Sequence, residues 1–409
     1  MADSTYSSAE TIAWLAANAH RVQAKIRERR AAPEMRKAEL RLFPAPEAAS
    51  YIPVSYARFR QLLADTRTEL PQGERIGGNN RTGFSVDDLR QIRDWQYQIT
   101  KEDQYFSKRR PGEKLAVIAT ANFKGGAAKT TTACHLAQYF AFRGYRTLAI
   151  DLDPQASMTG IMGYDPNIDL YDDMETQDFK SILGPLLGAC PLKDVILKTH
   201  VSGLDFVGSN VNLQVAEYDL VAMADKPSSE FFLQLSKSIQ GVEQDYDIVV
   251  VDCPPSLNLT TMNGICAANA VLIPAPAHMI DFASTGSFLH LLSVTLKDIM
   301  TTYGFDHHID LLRILITRFS AASQDENRVA NWMGQEFDEY LMTQRMVMTD
   351  SLKHSGNRIE TLYETPDPRS RKTLYRGIDA MNAVNQEFET LLLRHVWGRE
   401  IDSLAQTAA

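Results

Sequence analysis

Lys124–Thr132 reads KGGAAKTTT, set between the apolar run Leu115–Ala121 and the helix-like stretch His135–Phe142. An apolar strand, a glycine turn and a helix start leave few folds open. They are the parts of a phosphate-binding loop, whose backbone N–H groups point at anionic oxygens. Gly125, Gly126, Ala127 and Ala128 make the turn and Lys129 adds a point charge. Either Thr130 or Thr131 can offer a hydroxyl to a bound Mg2+. The standard spacing G-x-x-x-x-G-K-[ST] is not met, because Phe123 stands where the first Gly belongs and Ala128 replaces the second. A second lysine, Lys124, opens the loop.

Beyond the loop the chain has the rhythm of an α/β domain. Apolar, β-rich runs recur at 115–121, 146–152, 204–208, 246–252, 270–275 and 311–319, with helical stretches between most of them. Near-continuous apolar strands separated by helices predict a mostly parallel sheet covered on both faces. Ligands of such sheets sit beyond the carboxyl ends of the strands, where the glycine turn falls. The second run ends in AIDLDPQ, which places Asp151 and Asp153 two residues apart at a strand end. The run DIVVVDCPPS ends in Asp252, in the form of a Walker B carboxylate, and Pro254-Pro255 stops the strand. Carboxylates at that edge can orient a Mg2+ water shell and a water for in-line attack on a γ-phosphate. Each piece alone has a plainer reading, as a tight turn or a helix cap; their order and placement at strand ends predict a nucleotide site.

Upstream of 115 the pattern is different. Residues 5–42 predict a helix with Ile12, Leu15, Ala16, Ala19, Val22 and Ile26 in one apolar stripe, a packing or dimerisation surface. From about 45 to 100 the chain reads helix, turn at Ile52-Pro53, a second helix over Val54–Ala64, a polar glycine-bearing hairpin, and a third helix opened by Ser85 as N-cap. That order resembles a winged helix-turn-helix. It would offer Tyr56, Arg58 and Arg60 to a major groove and Arg75 and Arg81 to phosphates. The alternative is a small helical domain with solvated arginines. Residues 101–114 read as a charged linker, and 115–409 as the nucleotide-binding domain.

Residues 1–114 carry 20 Lys and Arg against 15 Asp and Glu, whereas the whole chain has a net charge of −9. A basic front on an acidic body suits a DNA-facing module. The four cysteines lack a C-x-x-C pair, which argues for reduced thiols and against a metal cluster. No apolar leader or 18-residue apolar run is expected, so no membrane partner is predicted and the expected location is cytoplasmic.

KGGAAKTT, DLDPQAS and VVVDCPPSLNLTTMNGI together resemble the deviant Walker A ATPases of the ParA/MinD type. The segment RLFPAPEAASYIPVSYARFRQLL and the TLYE…WG ending are similar to RepA proteins of repABC plasmids. The resemblance runs from about residue 35 to 398. It implies a weak, DNA-stimulated ATPase using ATP/ADP and Mg2+ to segregate a plasmid as a nucleotide-sandwich homodimer associated with the nucleoid. Its implied partners are a ParB-like centromere-binding protein (RepB), non-specific DNA and operator DNA of its own operon. By position, Lys124 would reach the partner subunit's phosphates and Lys129 would hold the β- and γ-phosphates. Thr130 would ligate Mg2+, Asp252 would act through a Mg2+-bound water, and Asp153, supported by Asp151, would position the attacking water. Lys353, Arg358, Arg369, Arg371 and Lys372 would meet non-specific DNA. A nucleotide-responsive repressor with little hydrolysis, a positioning ATPase for another cargo, and a cluster-bearing reductase are the competing classes. The final helix, Gly377–Trp397, is too acidic for a membrane-seeking helix and is expected to dock on the body.

Overall fold

The computed structural model describes residues 40–65, 68–76, 81–173, 175–214, 217, 231–365 and 371–399, with scattered positions between 9 and 25. Contacts divide the chain into Met1–Leu40 and Arg41–Ala409. In the first unit the described positions between 9 and 25 are helical, and Ile12, Trp14 and Leu15 are exposed. Ala16, Ala19, Val22 and Ile26 of the expected stripe lie outside the described residues.

The second unit begins with a short strand, β1 (Phe43–Pro44), then helices α1 (Ala45–Tyr51) and α2 (Tyr56–Ala64). The hairpin β2 (Glu74–Ile76) and β3 (Arg81–Phe84) comes next, then helix α3 (Val86–Thr100). Local sequence sets the helix starts. The Ser55 hydroxyl accepts the Arg58 N–H at 3.2 Å, so α2 begins two residues later than the sequence predicts. Ser85 and Asp88 cap α3 reciprocally, at 3.1 and 2.8 Å. β1 pairs with β3, Phe43 against Phe84, and adds a third antiparallel strand that has no signal in the sequence. Phe59 packs edge-on against Phe84 at 5.2 Å, with Leu62, Leu89 and Ile92 buried.

The remaining strands form one seven-stranded sheet. In chain order they are β4 (Ala116–Thr120), β5 (Thr147–Asp151), β6 (Leu197–Lys198), β7 (Leu204–Val207), β8 (Ile248–Asp252), β9 (Ala270–Pro276) and β10 (Leu311–Thr317). Across the sheet the order is β10-β9-β4-β8-β5-β7-β6, parallel except for the edge strand β6. The six parallel strands match the six apolar runs. β6 escapes a sequence reading, because two residues carry no period. Helices α4 (Lys129–Phe142), α5 (Ser157–Ile161), α6 (Leu259–Ala267), α7 (Met279–Tyr303), α8 (Gln324–Phe337), α9 (Asp350–Arg358) and α10 (Arg371–His395) flank the sheet, together with short helical segments at Leu183–Leu186 and Gln234–Gln240.

α4 is buried along almost its whole length, between the sheet and α10, which explains its lack of a polar face. α10 docks through Ile378, Met381, Val384, Phe388 and Leu392. Glu389, one of the acids that make this helix too acidic to seek a membrane, is buried. It accepts hydrogen bonds from Tyr139 and Tyr145 hydroxyls, both at 3.0 Å, and pairs with Arg143.

The segment 101–114 is fastened rather than loose. The Arg109 N–H bonds Asp247 at 3.1 Å and its guanidinium meets Glu243 at 3.1 Å, while Arg399 pairs with Glu113 at 2.8 Å. One expectation needs correction. Among the described residues α7 is long and apolar enough to cross a membrane by length and composition. Here it buries Phe288, Leu292 and Ile299 in the sheet's core.

Candidate nucleotide-binding site

Register assembles the site. β8 lies between β4 and β5, with Thr120 paired to Asp252 and Asp151 paired to Asp252. Three strand ends therefore bring a hydroxyl and two carboxylates beside the loop that leaves β4. In that loop Gly126 has φ +77° and Ala128 has φ +68°, so an alanine occupies a left-handed position at the N-cap of α4. The Ala127 N–H closes a turn on the Lys124 carbonyl at 3.3 Å. The same carbonyl accepts the buried Lys129 ammonium at 3.3 Å. Space beside Gly125 is open. Phe123, which displaces the usual glycine, stacks edge-on against Phe288 of α7 at 5.0 Å.

The acids divide the work. Asp151 accepts the Thr159 N–H at 2.9 Å, the Thr159 hydroxyl at 2.8 Å and the Asp153 N–H at 3.0 Å. Burial nevertheless raises its carboxyl to about 7. Asp153 is half-buried and its carboxylate caps the turn by accepting the Gln155 N–H at 2.9 Å. Asp252 is fully buried. Its Oδ1 receives the Thr120 hydroxyl at a long 3.4 Å, and its Oδ2 has no partner. Burial, and then the charge of Asp151, push the Asp252 carboxyl well above the usual range, against the nearby Thr130 hydroxyl and the Lys129 charge. Burial also lowers the Lys129 ammonium, which Asp252 partly offsets. Two buried carboxyls with one buried lysine are short of positive charge. An orphaned carboxylate oxygen beside the Thr130 hydroxyl fits a hard divalent cation with oxygen ligands. The open loop with its N–H groups fits a polyphosphate.

Lys124 stands elsewhere. Its ammonium pairs with Asp281, in the first turn of α7, at 2.9 Å, and its N–H bonds Asn122 at 3.2 Å. Sequence reading misses Asp281, Asn122, Thr159 and the pair Thr317-Arg318. The Thr317 hydroxyl bonds the Ala127 carbonyl at 2.9 Å and the Arg318 guanidinium bonds the Gly126 carbonyl at 3.1 Å. The available signal is position: both residues stand at the carboxyl end of a buried, apolar strand, the side where such sheets hold ligands.

The candidate DNA residues are spread out. Tyr56, Arg58 and Arg60 are all exposed on α2, Tyr56 and Arg60 one turn apart and Arg58 on the flank of the buried Phe59–Leu62 face. In the hairpin Ile76 pairs with Arg81 and Arg75 with Thr82, so Arg75 and Arg81 fall on opposite faces. Lys353 and Arg358 are exposed on α9, Lys353 within 3.8 Å of Asp350, and Lys372 is exposed in the first turn of α10. Arg369 and the side chain of Arg371 lie outside the described residues.

A glycine loop between a central parallel strand and a buried helix, with acidic ends on the neighbouring strands, defines a P-loop NTPase. A family model described as AAA domain matches residues 115–304. A candidate replication protein A of Sinorhizobium fredii (strain NBRC 101917 / NGR234) is 36% identical over 380 residues, 91% of this chain and 90% of its own length. SopA of Escherichia coli (strain K12) is 28% identical over 89% of this chain and 92% of its own. A solved partition protein has the same fold, with a TM-score of 0.61 over 95% of this chain and 99% of its own at 16% identity. A Mycobacterium smegmatis cobyrinic acid a,c-diamide synthase with bound ADP and magnesium reaches a TM-score of 0.50 at 26% identity, over 70% of this chain and 98% of its own. The chain belongs to the ParA-type partition ATPases, in the company of the replication-protein-A and SopA sequences.

Proposed function

We propose that this chain is an ATP-dependent plasmid partition protein that binds ATP or ADP with Mg2+ at the loop 124–131. The observation that carries the reading is the unpartnered, buried Asp252 carboxylate oxygen beside Thr130, at the mouth of the loop that presents Lys129. Lys129 would lie against the β- and γ-phosphates, and Thr130 with Asp252, the latter through a water, would hold the cation. When bound, Mg2+ neutralises phosphate charge and favours its transfer. Asp153 orients the attacking water, and Asp151, spent on Thr159 and the Asp153 N–H, fixes the turn that carries Asp153. Lys124 leaves Asp281 to meet the phosphates of a second copy, which makes the active form a homodimer. That dimer works with a ParB-like partner and binds nucleoid DNA through Lys353, Arg358, Arg369, Arg371 and Lys372. The 45–100 module is a winged helix-turn-helix that binds operator DNA in a cytoplasmic, nucleoid-associated protein.

The test measures ADP and ATP binding by calorimetry with and without Mg2+, for wild type and Lys129→Ala. It adds turnover with DNA and the ParB-like partner. Tight, Mg2+-dependent binding lost in Lys129→Ala is expected. Binding without any turnover would favour a nucleotide-responsive repressor, for which the Arg143 guanidinium at the end of α4, on the Tyr51 carbonyl of α1 at 3.0 Å, offers a route.

A further inference from the structure

Three non-glycine residues at the site hold left-handed backbone: Ala128 inside the loop, Ala156 closing the turn after Asp153, and Arg318 just after β10, at φ +53°. A strained position costs on the order of 1 kcal/mol, and a glycine there would remove the cost. At 318 the chain keeps the largest of cations instead, exposed to solvent, with its Nη1 on the Gly126 carbonyl at 3.1 Å. The preceding Thr317 hydroxyl, fully buried, takes the next carbonyl, Ala127, at 2.9 Å. Two consecutive loop carbonyls are thus held from the β10 side. A peptide plane whose oxygen is fixed outward must present the N–H of its following residue the other way. The planes concerned carry the N–H groups of Ala127 and Ala128.

We infer that Arg318 is a positioning residue of the phosphate loop: it aligns the loop's donors before nucleotide arrives, and its backbone strain is retained for that purpose. Thr317 alone would leave the Gly126 plane, at a glycine with φ +77°, held only by the Ala127 N–H on the Lys124 carbonyl at a long 3.3 Å. Among the described residues no other hydrogen bond holds the Gly126 carbonyl. The inference rests on the reading of residues 124–131 as a phosphate site.

Substitution by glycine drives the two roles of this position in opposite directions, because Arg318→Gly relieves the backbone while it deletes the guanidinium. The experiment compares the full chain as wild type, Arg318→Gly, Arg318→Lys and Lys129→Ala. Fluorescent ADP titration, thermal unfolding, and amide exchange of residues 124–130 without nucleotide are the readouts. Arg318→Gly is expected to unfold at the wild-type temperature or above, to bind ADP about tenfold more weakly, and to exchange its loop amides faster. Arg318→Lys, which keeps a donor, should recover most of the affinity. ADP affinity within twofold of wild type, with loop exchange unchanged, would overturn the inference. So would a lower unfolding temperature with exchange accelerated throughout the sheet, which would make Arg318 a stability residue. Lys129→Ala keeps the site reading separate: if it weakens ADP while Arg318→Gly does not, only this inference fails. A wild-type chain that binds no ADP overturns the site and the inference together.

Discussion

Arg143 and Glu389 lie 3.0 Å apart with both side chains buried, and they join the end of the phosphate-loop helix to the C-terminal helix. The same guanidinium bonds the Tyr51 carbonyl at 3.0 Å, and Arg93 of α3 bonds that carbonyl as well. Burial, then the charge of Arg143, lowers Arg93 to about 9. Two arginines therefore share one carbonyl at the seam between the 41–100 module and the body, and Arg143 alone is paired with the Glu389 carboxylate. Removing Glu389 strands the buried Arg143 charge, and Glu389→Ala is expected to cost about 3–5 kcal/mol in urea unfolding. Glu389→Leu with Arg143→Met should recover much of that loss, because the pair's removal leaves one fewer uncompensated charge.

The nucleotide-free protein should lose stability as pH rises from about 4 to above 7. Asp151, at about 7, and Asp252, raised well above the usual carboxylate range by burial, bind protons in the folded state that the unfolded chain has already released. The stabilising protonation is complete below the unfolded carboxyl value and is lost as pH climbs through the folded one. Asp252→Asn should flatten this decline and melt higher than wild type at pH 8. A wild-type melting temperature that rises across that window would contradict the assignment. Saturating Mg2+ and ADP should also flatten it.

Ala128 has left-handed backbone with no side-chain cap for α4. Ala128→Gly is expected to raise stability by about 0.5–1 kcal/mol, the relief of strain less the greater freedom of the unfolded chain. Thermal unfolding checks the sign, and steady-state turnover of the same variant shows whether the methyl group slows the chemistry.

Gly203 has φ +80°, and a methyl there would overlap the Arg90 guanidinium, which lies across the turn with Ser202 at 3.4 Å. Gly203→Ala should loosen α3 from the body and weaken operator binding while ADP affinity stays within about twofold. If operator affinity is unchanged, α3 does not need that seam.

Arg75 and Arg81 face opposite sides of the hairpin. Only one of them can approach the phosphates of a duplex lying against one face. Alanine at that one should reduce the salt slope of operator binding by about 1, and alanine at the other should leave it unchanged. Equal effects would place the hairpin edge-on to the DNA.

Most of this fold is legible in the sequence because its signals are periodic or local. Near-continuous apolar runs mark the six parallel strands, Ser85 marks a helix start, and Asp151 and Asp252 stand where such strands end. The features that escape depend on long-range contact. β1 and β6 have two residues each, and their pairing with β3 and β7 leaves no pattern. Glu389 reads as surface because its partners Tyr139, Arg143 and Tyr145 are more than 240 positions away. Asp281 and Arg318 reach the loop only after the sheet has ordered β9 and β10 beside β4.

The fastening of residues 101–114 has a last consequence. Arg109 on Glu243 and Arg399 on Glu113 leave no slack between the front module and the sheet. Two copies joined through their nucleotide faces would then carry their front modules as the fixed jaws of a caliper. The separation of the two operator half-sites would report how the bodies meet, and changing that separation by a few base pairs would distinguish one nucleotide state from another.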